Sequence, residues 1–197
     1  MADEEDLRYP VGRFRPPAEN TRVVRAAHIE TLRLLPERLR SAVAGLNDSQ
    51  LDTPYRDDGW TVRQVVHHFA DSHANSYVRF KLALTEDWPT IKPYDEAAWA
   101  RLPDSSQPIE PSLVFVTGLH HRLVALLESM SEEDFQRGFN HPERGRMTLA
   151  ANLALTNGIP ATTQPTSPAC APDGAGRKNH GPRRSTPSTK ACRGGRR

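Results

Sequence analysis

The chain has 197 residues with 26 Lys and Arg, 24 Asp and Glu, and only two Cys, enough for one domain with a real core and cramped for two. Both cysteines, Cys170 and Cys192, sit near the C-terminus, so the rest of the chain has neither a disulfide scaffold nor a Cys nucleophile. Met1 to Leu7 is acidic and lacks the apolar run of a signal peptide, and no segment approaches the roughly 18 apolar residues of a membrane span, so a soluble cytoplasmic protein is expected.

Composition breaks near residue 156. Residues 156–197 hold eight basic residues against one acid, Asp173, a net of +7, whereas residues 1–155 hold 18 against 23, a net of −5. The C-terminal segment has six Pro, six Gly and no aromatic residue. It cannot bury enough apolar area or run as a long helix, and is expected to be a disordered basic tail behind a domain of residues 1–155. Without stacking partners the tail could offer nucleic acid only non-specific phosphate attraction, so no nucleic-acid partner is expected.

In chain order, Arg8 to Pro17 reads as an extended Pro-rich arm. A first helix is predicted from about Thr21 to Leu46, with Val24, Ile29, Leu32, Leu35, Leu39 and Val43 near helical spacing and Pro36 positioned to kink or divide it. Asp52 to Gly59 reads as a loop. Thr61 and Gln64 then fit a capping box that opens the strongest element. In it Val62, Val66, Phe69, His73, Tyr77, Phe80 and Leu84 hold one face. A Pro-rich loop follows, with Trp88 and Trp99. A third helix is predicted over about Pro111 to Met130, then a capped turn from Ser131 to Phe135 and a loop or hairpin from Phe139 to Arg146. Thr148 is the N-cap expected for a fourth helix, which meets Gly158 and Pro160 and is expected to fail after Leu155. Such a pattern makes an all-α, four-helix bundle with a truncated last helix.

The residues able to carry chemistry are mostly histidines. His67 stands i,i+4 to Asp71, and His68 stands i,i+3 to it, so Asp71 could fix the second nitrogen of a metal-bound imidazole. His73 lies on the apolar stripe and reads as core, and His120-His121 read as the polar flank of the third helix. No two His of the second helix stand i,i+4, so that helix alone makes no metal site.

The stretch from Leu51 to His73, with Asn75 to Glu86, Ile91 to Glu96 and Phe139 to Glu143, resembles the signature of the YfiT-like metal-dependent hydrolases of the DinB superfamily. The resemblance runs from Tyr9 to about Leu155. It implies a four-helix bundle, a homodimer, and one zinc or nickel ion per subunit held by three His. It places the first ligand at His68, with His67 and Asp71 as candidates to support it, and leaves a coordination position open for water or substrate. Such a metal would activate water for hydrolysis of a small-molecule substrate. In related proteins it would activate a low-molecular-weight thiol such as bacillithiol for transfer. The other two ligands of the family sit one turn apart in a last-helix pattern, Tyr-x-Trp-His-x-x-His-His-x-Ala-His-Ile, which this chain lacks.

A reading frame displaced by one nucleotide accounts for the loss. If the family's codons start one nucleotide before those read here, a His or Tyr codon leaves AC or AT at the head of the next read codon and yields Thr, Ile or Met. A Trp codon leaves GG and yields Gly. All six constrained positions agree: Thr156, Gly158, Ile159, Thr162, Thr163 and Thr166. Thr162 and Thr166 therefore stand where the two missing ligands would be, and a hydroxyl is a poor substitute for imidazole on zinc. A non-catalytic truncated product is the alternative to an active enzyme, and metal content separates the two.

Overall fold

The computed structural model describes residues 20–55 and 59–163, with only the backbone described from Gly158 onward. The chain divides into a unit of Met1–Ser167 and a second unit, Pro168–Arg197, which lies outside the described residues. So do the expected Pro-rich arm and Thr166. Four helices make the bundle: α1 (Arg22–Val43), α3 (Val62–Thr85), α5 (Glu110–Ser129) and α7 (Leu149–Thr163). Short helices α2 (Asp48–Leu51), α4 (Glu96–Trp99) and α6 (Glu132–Gln136) occupy the connections, with a 3₁₀ turn at Pro103–Ser106. No described helix is long and apolar enough to cross a membrane.

Local chemistry sets the boundaries. Thr61 accepts from the Gln64 amide while the Gln64 side chain accepts from the Thr61 amide, closing the capping box expected for α3. Ser131 and Asp134 do the same for α6. The predicted hairpin is present as β1 (Gly138–His141) paired antiparallel with β2 (Gly145–Thr148). Gly145 takes φ +75° at its turn, a conformation that favours glycine. At Gly138 a side chain would run into the Met147 carbonyl and the Trp88 ring. Arg63, buried in α3, bonds Asp52 at 2.7 Å and Asp48 at 2.8 Å and ties α2 to the bundle. Burial drives the assembly: Leu32, Phe80, Val116, Leu123, Leu149 and Leu153 are fully inaccessible, each contributing roughly 1.5–3 kcal/mol.

Two expectations about the helices are revised. Pro36 lies inside α1 without dividing it. The last helix does not stop at Leu155 but runs eight residues further, through Gly158 and Pro160, so the residues assigned to the tail begin in helix. Leu149, Ala150, Leu153 and Ala154 are buried in the core, and that packing outweighs the weak propensity of the following turn. At 15 residues α7 remains the shortest of the four, against 22, 24 and 20.

Candidate metal and active site

Four buried imidazoles, His67, His68, His73 and His120, lie on the bundle helices, and three of them hydrogen-bond other residues. His67 is buried, with Nδ1 2.8 Å from Ser112 Oγ and Nε2 3.0 Å from the Gln107 carbonyl. A carbonyl only accepts, so Nε2 carries the proton and, in the neutral ring, Nδ1 accepts from the Ser112 hydroxyl. His67 therefore joins α3 to the start of α5. The role expected of Asp71, orienting this ring or its neighbour, is not what the structure shows: neither His67 nitrogen bonds it. Asp71 is half-buried, and burial, followed by the nearby Asp104 charge, raises its pKa while His67 lowers it.

His120 corrects a second expectation. It lies in the core rather than on a polar flank, only 1% exposed, while His121 is exposed. Pro36 has no N–H, so it leaves the Leu32 carbonyl, four residues back, without its helical donor. His120 Nδ1 supplies that donor at 2.7 Å. With the proton fixed on Nδ1, the neutral ring presents Nε2 as an acceptor, and His73 Nδ1 donates to it at 3.0 Å. His73, wholly buried and stacked on Phe69 at 4.0 Å, is left with an unprotonated Nε2 that has no hydrogen-bond partner among the described residues. Burial holds the pKa of His73 well below the ordinary value and also lowers that of His120. Both rings are neutral core residues. The signal for His120 was in the sequence, because Leu113, Val116, His120, Leu123 and Leu127 share one face of a helix.

His68 differs from all three. It is buried, its ring meets the edge of Trp60 at 4.6 Å between centroids, and it makes no hydrogen bond to another described residue. Burial lowers its pKa, opposed by the charge of Glu96, so it is neutral near pH 7, as a metal ligand must be. The remaining donors do not complete a site. Among the described residues no group of three His, Cys, Asp or Glu could hold a metal ion. Of the two positions where further ligands were expected, Thr162 lies in α7 with its side chain undescribed, and Thr166 lies outside the described residues. The residues present do not fit a three-ligand zinc or nickel centre.

Beside this region a polar cavity of about 140 Å³ opens between α3, α7, the hairpin turn and the loop before α4. On its α7 wall, Thr156 Oγ1 donates to the Asn152 carbonyl at 2.7 Å. It therefore accepts from Ser76 Oγ at 2.6 Å, and Ser76 accepts from Asn152 Nδ2 at 3.2 Å. Arg79, Tyr94, His141 and Arg144 line the remainder, with Glu96 and Glu143 exposed at its rim. A larger cavity of about 450 Å³ lies across the bundle between α1 and α5. Its arginines are spent on carboxylates, Arg33 on Glu30 and Glu128 and Arg40 on Glu110.

A sequence profile of the DinB superfamily matches residues 31–158. The chain belongs to the DinB superfamily. Relatives from Bacillus cereus (strain 03BB102) and Bacillus thuringiensis subsp. konkukian (strain 97-27) are each 54% identical to it over 150 residues, covering 76% of this chain and 87% of the relative. Both bear the name "Putative metal-dependent hydrolase". Among solved structures, YfiT from Bacillus subtilis superposes with a TM-score of 0.77 at 46% identity, over 81% of this chain and 91% of its own. It is described as "a probable metal-dependent hydrolase with an unusual four-helix bundle topology". The DinB profile ends at residue 158, short of Thr162 and Thr166.

Proposed function

We propose that this DinB chain carries the frame of a metal-dependent hydrolase with a three-imidazole zinc or nickel centre, and retains one of its ligands, His68. The reading rests on one observation above others: of the four buried imidazoles on α3 and α5, His68 is the one with no hydrogen bond to a described residue, while His67, His73 and His120 each have at least one nitrogen engaged. Kinship with proteins named for metal-dependent hydrolysis supports the reaction class. Metal binding and hydrolysis are impaired in the chain as written, because one imidazole does not fill a first shell.

The frame displacement after Leu155 belongs to the same reading. Asn157, just beyond that point, has both polar side-chain atoms buried without a partner among the described residues. A buried orphan amide costs about 1–3 kcal/mol, which argues that this residue was not selected for its surroundings.

Metal content tests the proposal. The chain as written, loaded with zinc or nickel and dialysed, is expected to keep far less than one ion per chain. Restoring the frame after Leu155, which places His at positions 162 and 166, is expected to bring tight stoichiometric binding, and His68→Ala in that form to abolish it. One retained ion per chain in the protein as written would overturn the ligand assignment, as would a restored form indifferent to His68→Ala.

A further inference from the structure

We propose that the cavity between α3, α7 and the hairpin turn is a subsite for an oxyanion, the carboxylate or phosphate group of a small-molecule substrate, with Arg79 as its principal ligand and Arg144 as its second. The inference deepens the hydrolase reading by assigning the substrate's charge, and it rests on that reading for its place beside His68.

The two arginines buried among the described residues both have carboxylate partners. Arg25, buried, pairs with Glu132, and Arg63, equally buried, pairs with both Asp48 and Asp52. Exposed guanidinium groups vary: Arg33 and Arg40 are paired, whereas others such as Arg38 and Arg101 form no ion pair with a described residue. Arg79 is half-buried and forms no ion pair with a described residue, and neither does Arg144. Burial is the main cause that lowers the Arg79 pKa; Tyr94 and Glu96 oppose it and Arg144 adds to it. A guanidinium removed from water without a partner carries a desolvation cost that an incoming anion would offset.

The surroundings suit an oxyanion. Burial raises the pKa of Tyr94, which keeps its hydroxyl protonated and able to donate. Its ring is held against Trp99 at 4.5 Å. His141 accepts from the Glu143 amide at 3.2 Å through Nδ1, which in the neutral ring leaves its proton on Nε2. Burial and both arginines lower its pKa. The opposing charges are Glu96 and Glu143, exposed at the rim like Arg144 and screened by solvent there, and the half-buried Asp71, which acts on Tyr94. The volume, about 140 Å³, is below the roughly 300 Å³ of the smallest pockets that enclose a whole ligand. It fits one charged group, with the rest of the molecule outside.

The test uses the full chain stripped of metal on a chelating resin, so that no soluble chelator competes and the outcome is independent of metal content. At constant ionic strength the protein is titrated calorimetrically with inorganic phosphate and, separately, with acetate. Saturable binding of at least one of them is expected, phosphate preference pointing to a phosphorylated substrate and acetate preference to a carboxylic acid. Arg79→Met is expected to weaken binding at least about tenfold, Arg79→Lys to weaken it less, and Arg40→Met on the far side of the bundle to leave it unchanged. If Arg79→Met does not fold, Arg144→Met serves in its place and is expected to weaken binding severalfold. No saturable binding of either anion, or an affinity insensitive to the arginine variants, would overturn the inference. The hydrolase reading fails separately, on the metal content of the restored form.

Discussion

His73 and His68 lie just over one helical turn apart on α3, both are buried, and they are opposite kinds of residue. His73 has its proton directed to His120, which in turn serves a backbone carbonyl. It also stacks on Phe69. His68 touches Trp60 with its ring edge and has no hydrogen bond to another described residue. Burial alone therefore does not mark a ligand. What separates the two is that His73 has one nitrogen bonded and its ring stacked in the core, whereas neither nitrogen of His68 bonds a described residue.

The largest way to break that contrast is to cut the relay. His120→Phe removes the donor to the Leu32 carbonyl and leaves the His73 N–H unpaired, and a loss of about 3 kcal/mol is expected in urea unfolding. Pro36→Ala restores a helical amide for that carbonyl, so in its background His120→Phe should cost about 1 kcal/mol less. Additivity of the two substitutions would mean that Pro36 and His120 are not linked as described.

A smaller effect, opposite in sign, belongs to α7. Asn157→Leu replaces the buried orphan amide with an apolar group, and a gain of about 1–2 kcal/mol is expected from the same measurement. A loss would mean that Asn157 has a partner and that this turn is adapted to its place.

Protonation tests the comparison from another side. The folded pKa of His73 lies well below 6.5, so the unfolded chain binds its proton first as pH falls. The stability held by its neutral ring is complete above the unfolded value and declines as pH drops below it. Between pH 6.5 and 5.5 His73 alone should account for about 1 kcal/mol. His120, lowered in the same direction, adds to the loss. His73→Leu should flatten the profile of urea midpoints. An equally steep profile in that variant would assign the effect to other groups.

His68→Ala should be the mildest change, a few tenths of a kcal/mol beyond its lost contact with Trp60. A cost as large as that of His120→Phe would make His68 a packing residue and remove the contrast.

The bundle was largely legible in the sequence because its signals are local. The Thr61–Gln64 box, the Thr148 cap and the apolar stripe through Val66, Phe69 and Phe80 each follow from chemistry within a few residues. What was not legible depends on meetings between distant segments. The partners of His67, Gln107 and Ser112, lie on another element, and nothing in the local pattern gives their distance. The place of His120 was half-visible in its spacing, but its reason is a carbonyl on α1, 88 residues away. That Arg79 pairs with no described carboxylate could be seen only once the elements around it had been placed. The end of α7 was misjudged because Gly158 and Pro160 were weighed by propensity, whereas the packing of Leu149 and Leu153 carries the helix past them.

Pro36 also has a consequence for how the helices find their alignment. Along an uninterrupted helix every interior carbonyl is occupied and looks like its neighbours, so a facing helix could slide by a turn and meet a similar surface. On α1 the missing amide makes the Leu32 oxygen different from the oxygens one turn above and below. His120 can satisfy it only when α5 sits at one height and one rotation, and any slip leaves both groups unpaired in an apolar interior. The proline acts as a detent between α1 and α5, exchanging a little helix stability for a single seating of the pair.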